Sequence, residues 1–308
     1  MNQKRYLGLE LSGAKNAKTT LAVLEYYPRE KKVFVLDIHS GIGADATGNS
    51  DEALIQTIQD HANDHPDVKL GVNVPLTLPP SFLPAKKGQS PLDSPEVKWM
   101  QSHFTKRQNP PTSKRTAKLK DFFTPYTQRP IEIWLKNEVL SRVPQKLRFE
   151  IDETLGGNKA PLTARMQFLK HYLSEYEIHE VLPKLTAVLL MPSLKLSQKT
   201  LLQYRQLEDG MNARQIILDR MSETADIFIY DRDQKKITQN LNAFDAFLCA
   251  YTVLLHDRSD CVVPPKHFPI KSGWIRYPKS PFLDSQLSAL SHFADEDADP
   301  ETDEDDEA

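Results

Sequence analysis

At 308 residues, with 39% hydrophobic and 26% charged side chains, the chain can bury one large core and lacks the composition of a membrane or collagen-like protein. Its longest apolar run, Ala246 to Leu255, falls short of the ~18 residues a membrane span needs. The net charge of −3 averages two different objects: residues 294–308 hold ten acids and no Lys or Arg, leaving 39 basic against 32 acidic residues in the rest.

The opening MNQKRYLGLELSG has no apolar h-region, so no secretory signal is expected. Cys249 and Cys261 are the sole cysteines and stand in no metal-type spacing, so a disulfide framework is not expected and a cytoplasmic setting is. Tyr6–Leu11 and Thr19–Tyr26 read as strands around the turn-forming SGAKNAK, and residues 32–39 read as a third. Asn49, with Asp51 and Glu52 behind it, marks a helix start. Leu54, Ile55, Ile58 and Ala62 form its apolar stripe, and Pro66 its end. Val68–Val74 is short, apolar and followed by Pro75, as a buried strand entering a loop would be.

From Pro75 to Pro130 the character changes: ten of the 22 prolines fall there, so a long irregular insertion is expected, with a short helix near Glu96–Phe104. A helix is expected around Thr163–Tyr176 and a buried strand at Thr186–Met191. A helix is expected over Ser197–Met221, with Leu201, Tyr204, Leu207 and Met211 on one face and a possible break at Gly210. Ala225–Tyr230 suits a further strand or edge segment. Asn242–His256 is apolar nearly all round, the pattern of a helix buried against a sheet.

The segments YLGLELSG, GVNVPLTLP and NAFDAFLCAYTVLL, in this order, with Gly273-Trp274-Ile275 after them, resemble the domain of unknown function 429. The similarity is spread over residues 6–278. It implies an RNase H-like α/β fold, a mixed sheet flanked by helices, and the carboxylate site of a metal-dependent nuclease. On this reading residues 1–293 form one domain with an insertion at about 77–184, and 294–308 a disordered acidic tail.

In such a sheet the first and fourth strands are neighbours, and acids at their ends meet a third from a helix. The cluster holds Mg²⁺ or Mn²⁺ for phosphodiester hydrolysis. The matching positions are Glu10, where the family has Asp; Asn73, where it also has Asp; and Asp245, a direct match. Glu10 and Asp245 are thus the implied catalytic acids, with Asn73 as a third, neutral ligand. Asn242, three residues before Asp245, replaces a His or Asp of the family pattern. An amide oxygen brings no charge, so two close dications would be poorly neutralised, and a one-metal or inactive site follows.

Each residue has a plainer role open to it. Asp245 would sit at the third position of a helix capped by Asn242, favouring the helix dipole. Glu10 could face outward on an edge strand, and Asn73 could satisfy loop backbone before Pro75. The stretch Thr105–Lys120 carries Lys106, Arg107, Lys114, Arg115, Lys118 and Lys120 with no acid. It is either a phosphate-tracking nucleic-acid site or a solvated loop. The acidic tail would contact this stretch, or a basic partner, or simply solubilise the chain. Arg129 and Glu132 stand where the family often has a basic residue near the site. His61 and His65 have metal-type spacing on a helix, but Pro66 sets them at its fraying end. Gly13 to Thr19 lacks the Gly before Lys that a P-loop needs. Two other functions stay open: an actin-like nucleotide binder using Lys15, Lys18 and Thr19, and a non-catalytic scaffold.

Overall fold

The computed structural model describes residues 3–13, 18–44, 49–63, 65, 67–83, 88, 90–105 and 123–284. Among these residues a single seven-stranded mixed sheet organises the chain. β1 (Lys4–Glu10), β2 (Thr20–Tyr27) and β3 (Lys32–Ser40) form an antiparallel meander. α1 (Ser50–Ala62) follows, its Asn49 side chain capping the Asp51 N–H as the sequence suggests. β4 (Lys69–Val72) then returns parallel to β1. β5 (Glu177–Val181), β6 (Ile227–Ile229) and β7 (Ile275–Arg276) complete the order β6-β3-β2-β1-β4-β5-β7.

Between β4 and β5 run α2 (Pro95–Thr105), α3 (Pro130–Trp134) and α4 (Lys159–Leu169). α5 (Pro183–Leu190), α6 (Gln198–Gln203) and α7 (Gly210–Ala225) lie between β5 and β6. α8 (Asp231–Gln239) and α9 (Leu241–Asp257) come after β6.

The period-two alternation of the strands splits the core in two. Tyr6, Ala22 and Leu24 face a cluster built with α5, α7 and α9. Leu7, Leu9, Leu21, Val23, Leu70 and Val72 face α1 and α4. α9 lies directly on the sheet, buried from Ala243 through Leu255. Two glycines permit that approach: a Cβ on Gly8 would lie 2.0 Å from the Ala246 carbonyl oxygen, and one on Gly71 2.5 Å from that of Cys249. α9 therefore runs from the C-terminal ends of β1 and β4 to their N-terminal ends, where Asp257 accepts from Lys4, Tyr6 and Lys69.

Three expectations need correction. Thr186–Met191 is not a strand: Pro183 opens α5 there, and the strand beside β4 lies earlier, at β5. The stretch Ser197–Met221 divides at Gly210, the break the sequence left open, into α6 and α7, and the shared apolar face fails there: Leu207 is fully exposed and Met211 is exposed too. The helix expected to reach Tyr176 is α4, which ends at Leu169 in a run of turns. Cys249 and Cys261 are both free and buried. Among the described residues, no helix is long and apolar enough to cross a membrane.

Candidate functional site

The sheet register brings the first two site residues together. β1 and β4 are parallel with Leu9 opposite Val72, and the Asn73 N–H continues the ladder to the Leu9 carbonyl at 3.0 Å. Glu10 and Asn73 are the next residues on adjacent strands, and alternation points both toward α9. Their side chains meet: Asn73 Nδ2 donates to Glu10 Oε2 at 2.7 Å. β1 lies between β2 and β4, so Glu10 is not an outward-facing edge residue, and Asn73 serves Glu10 rather than loop backbone.

Asp245 reaches the same place from the first turns of α9. Its helix is capped by Asn240, whose side chain accepts from the Asn242 N–H, so Asn242 is not the cap and Asp245 lies beyond the first turn. Asn242 instead donates to the Lys18 carbonyl. Arg205, in the break between α6 and α7, puts Nη1 2.9 Å from both Asp245 oxygens. Asp245 is 2% exposed, and that burial raises its pKa while Arg205 works to lower it.

Glu10 has no such counter-ion: among the described residues it forms no direct ion pair. Desolvation pushes its pKa up to about 8, and the negative charge of Asp245 adds to the rise. The Asn73 amide, Lys159 and Arg205 oppose it more weakly. A partly buried carboxylate and a fully buried one, close enough to perturb one another, therefore share a site in which Asp245 is paired and Glu10, among the described residues, is not.

A small cleft opens beside this pair at the C-terminal ends of β4 and β5, lined among others by Asn73, Arg129, Asp152, Lys159 and Glu180. Crevices at the carboxyl ends of parallel strands are common ligand sites. Lys159, at the start of α4, sets Nζ 3.3 Å from the Asn73 carbonyl and 3.5 Å from its Oδ1. Lys184 of α5 lies near Arg205, Asp152 and Asp245, and burial lowers its pKa. Arg129, fully buried, forms the cleft's inner wall: Nη1 and Nη2 clasp Glu180 at 2.8 and 2.7 Å, and Nε donates to Glu132 at 2.8 Å. Thr154 completes Glu132 at 2.7 Å. This bidentate arrangement makes Arg129 and Glu132 a rigid support for the cleft.

Of the residues singled out in the sequence, Glu10, Asn73 and Asp245 converge, with Arg129 and Glu132 close by. The basic residues Lys106, Arg107, Lys114, Arg115, Lys118 and Lys120 lie outside the described residues, as do Lys15 and the acidic tail. Thr19 is buried and tied to Ser12 and Arg165, and Lys18 is exposed. His61 pairs with His39 (Nε2 to Nε2, 2.7 Å) rather than with His65, which lies near Glu25. Lys159, Lys184, Arg205 and Glu180 carry no motif signal. Arg205 sits in a polar break that pattern reading absorbs into a helix, and Glu180 interrupts a strand with charge.

The donor set suits one hard divalent ion better than two. Glu10 offers a carboxylate without a direct ion-pair partner among the described residues and Asn73 an amide oxygen, all oxygen chemistry of the Mg²⁺ or Mn²⁺ kind. Arg205 already neutralises Asp245, and Lys159 adds another fixed charge, so a second dication would face two cations. Comparison of the chain with models of known families, with curated proteins and with solved structures gives no match.

Proposed function

We propose that the chain is a metal-dependent phosphodiester hydrolase acting on nucleic acid, with a one-metal site at Glu10, Asn73 and Asp245. The observation that carries this reading is the convergence of Glu10 and Asp245, with Glu10 lacking a direct ion-pair partner among the described residues. An RNase H-like fold is part of the proposal, supported by the order β3-β2-β1-β4-β5 with β2 alone antiparallel to its two neighbours. Kinship with the domain of unknown function 429 rests on the motifs that carry Glu10, Asn73 and Asp245.

A bound Mg²⁺ or Mn²⁺ would supply Lewis acidity toward a phosphoryl oxygen. The chain's own groups prepare the site. Glu10, its pKa raised to about 8 by desolvation, would have to be deprotonated to hold the cation. Arg205 fixes the Asp245 carboxylate in one orientation. Lys159 places positive charge in the cleft, where a phosphodiester's anionic oxygens would bind, and Lys184 adds charge near Asp152 and Asp245. The basic stretch at 106–120 would extend this charge along the strand.

The test is Mn²⁺-dependent hydrolysis of bis(p-nitrophenyl) phosphate and of single- and double-stranded oligonucleotides by the full chain. Turnover lost in Glu10→Gln and Asp245→Asn supports the proposal. Turnover that survives both substitutions, or none with any substrate, sinks it. A second reading has one specific observation in its favour: Arg205 engages both Asp245 oxygens, as a scaffold that had replaced its metal would arrange. That reading predicts nucleic-acid binding without turnover.

A further inference from the structure

α9 carries Asp245 at one end, and at its other end, eleven residues and about 16 Å away by helical rise, stands a second cluster. Glu177 and His179 are two apart on β5, so both project toward α9. His256, in the last turn of α9, meets them, its ring 4.8 Å from that of His179. One ligand atom from each of the three residues lies within 4.8 Å of the others.

His179 supplies an independent observation. It is 6% exposed, and its Nε2 is buried without a hydrogen bond. Glu177 Oε1 approaches to 2.9 Å, but not along an N–H direction. An unsatisfied buried nitrogen is costly. Two ligands on one tetrahedral ion, at bonds of ~2.0–2.2 Å, stand ~3.3–3.6 Å apart, so this close approach without a hydrogen bond needs to open by only about half an ångström to admit such an ion. We propose that Glu177, His179 and His256 form a binding site for a borderline divalent cation of the Zn²⁺ class, with a position left for water.

Two imidazoles and a carboxylate suit Zn²⁺ rather than Mg²⁺, so this site and the all-oxygen site at Glu10 differ in the metal they take. The inference does not depend on the proposed hydrolase activity. Burial keeps His179 neutral, its pKa lowered to about 4, and neutral imidazole is the form that ligates. Lys69, 3.4 Å from Glu177, and Arg276 face the cluster and oppose a cation. Glu177 itself and Asp257, which pairs with Lys69 at 2.5 Å, offset them. The exposed Glu177 and the half-buried His256 can rotate to close the shell.

The experiment is calorimetric titration of the metal-free full chain with ZnCl₂, with thermal melts alongside. One equivalent is expected, raising Tm. His256→Ala should weaken it at least ~10-fold, because losing even an outer-shell partner of a metal site costs that much. Glu177→Gln should weaken it too, and neither variant touches a fully buried residue. Asp245→Asn should leave Zn²⁺ binding intact, as should His61→Ala, which removes the His39–His61 pair. The proposal is overturned if Zn²⁺ does not bind, if His256→Ala and Glu177→Gln bind as the parent does, or if only Asp245→Asn or His61→Ala abolishes binding.

Discussion

Glu10 is the residue on which the site's electrostatics turn. Its folded pKa of about 8 lies above the ordinary 4.5. Below pH 4.5 both folded and unfolded chains hold the proton. Between 4.5 and 8 unfolding releases it, so this group's contribution to stability falls as pH rises, and above 8 the deficit is constant. Glu10→Gln should flatten that slope and raise Tm most at pH 8 and above. Parallel slopes for parent and variant from pH 5 to 9 would show that Glu10 is not desolvated as described. Asn73→Asp tests the neighbouring position. A carboxylate there loses the amide donation to Glu10 and adds repulsion, so the metal-free Tm should drop at neutral pH. The same charge should tighten Mn²⁺ binding about tenfold, or ~1.4 kcal/mol. Unchanged Mn²⁺ affinity with an intact fold would place Asn73 outside the metal's reach.

At the scale of elements, α9 links the sheet to both clusters, and its position depends on two residues without side chains. A Cβ at Gly8 would meet the Ala246 carbonyl at 2.0 Å and the Ala250 nitrogen at 2.4 Å. Backbone cannot yield as a flexible side chain can. Gly8→Ala should therefore cost more than about 3 kcal/mol, lowering Tm by about 10 °C or preventing folding. A Tm within about 2 °C of the parent would mean that α9 does not pack as described. Elements with a clean period were readable in the sequence: the first three strands, the helix after Asn49 and the apolar α9. β5 was not, because Glu177, His179 and Glu180 give it the polarity of a loop. Those residues belong to the His cluster and the Arg129 clasp, and a strand that carries such groups loses its apolar signature. The apolar TAVLLM next to it has the stronger strand pattern, although Pro183 just before it is a helix-opening signal. Arg205 carries no sequence signal because it lies in the break between α6 and α7, outside any motif. Glu10, Asn73 and Asp245 were readable through the resemblance, whereas Lys159, Lys184 and Glu180 join them only through folding.

For the whole molecule, charge separation gives its own expectation. Residues 294–308 carry ten acids, and residues 105–120 carry six basic residues without an acid. A tail competing with nucleic acid for that stretch predicts that deleting 294–308 raises affinity, most strongly at low salt. The gain should shrink when Lys114, Arg115, Lys118 and Lys120 are neutralised, and an equal gain in that background would show that the tail acts elsewhere. The central claim, a single hard-metal site at Glu10, Asn73 and Asp245, is tested most directly by calorimetric titration of the metal-free full chain with MnCl₂. The expected result is one equivalent of Mn²⁺, lost in Glu10→Gln and in Asp245→Asn and retained in His256→Ala. No Mn²⁺ binding by the parent, or binding unaltered by both carboxylate substitutions, would contradict it.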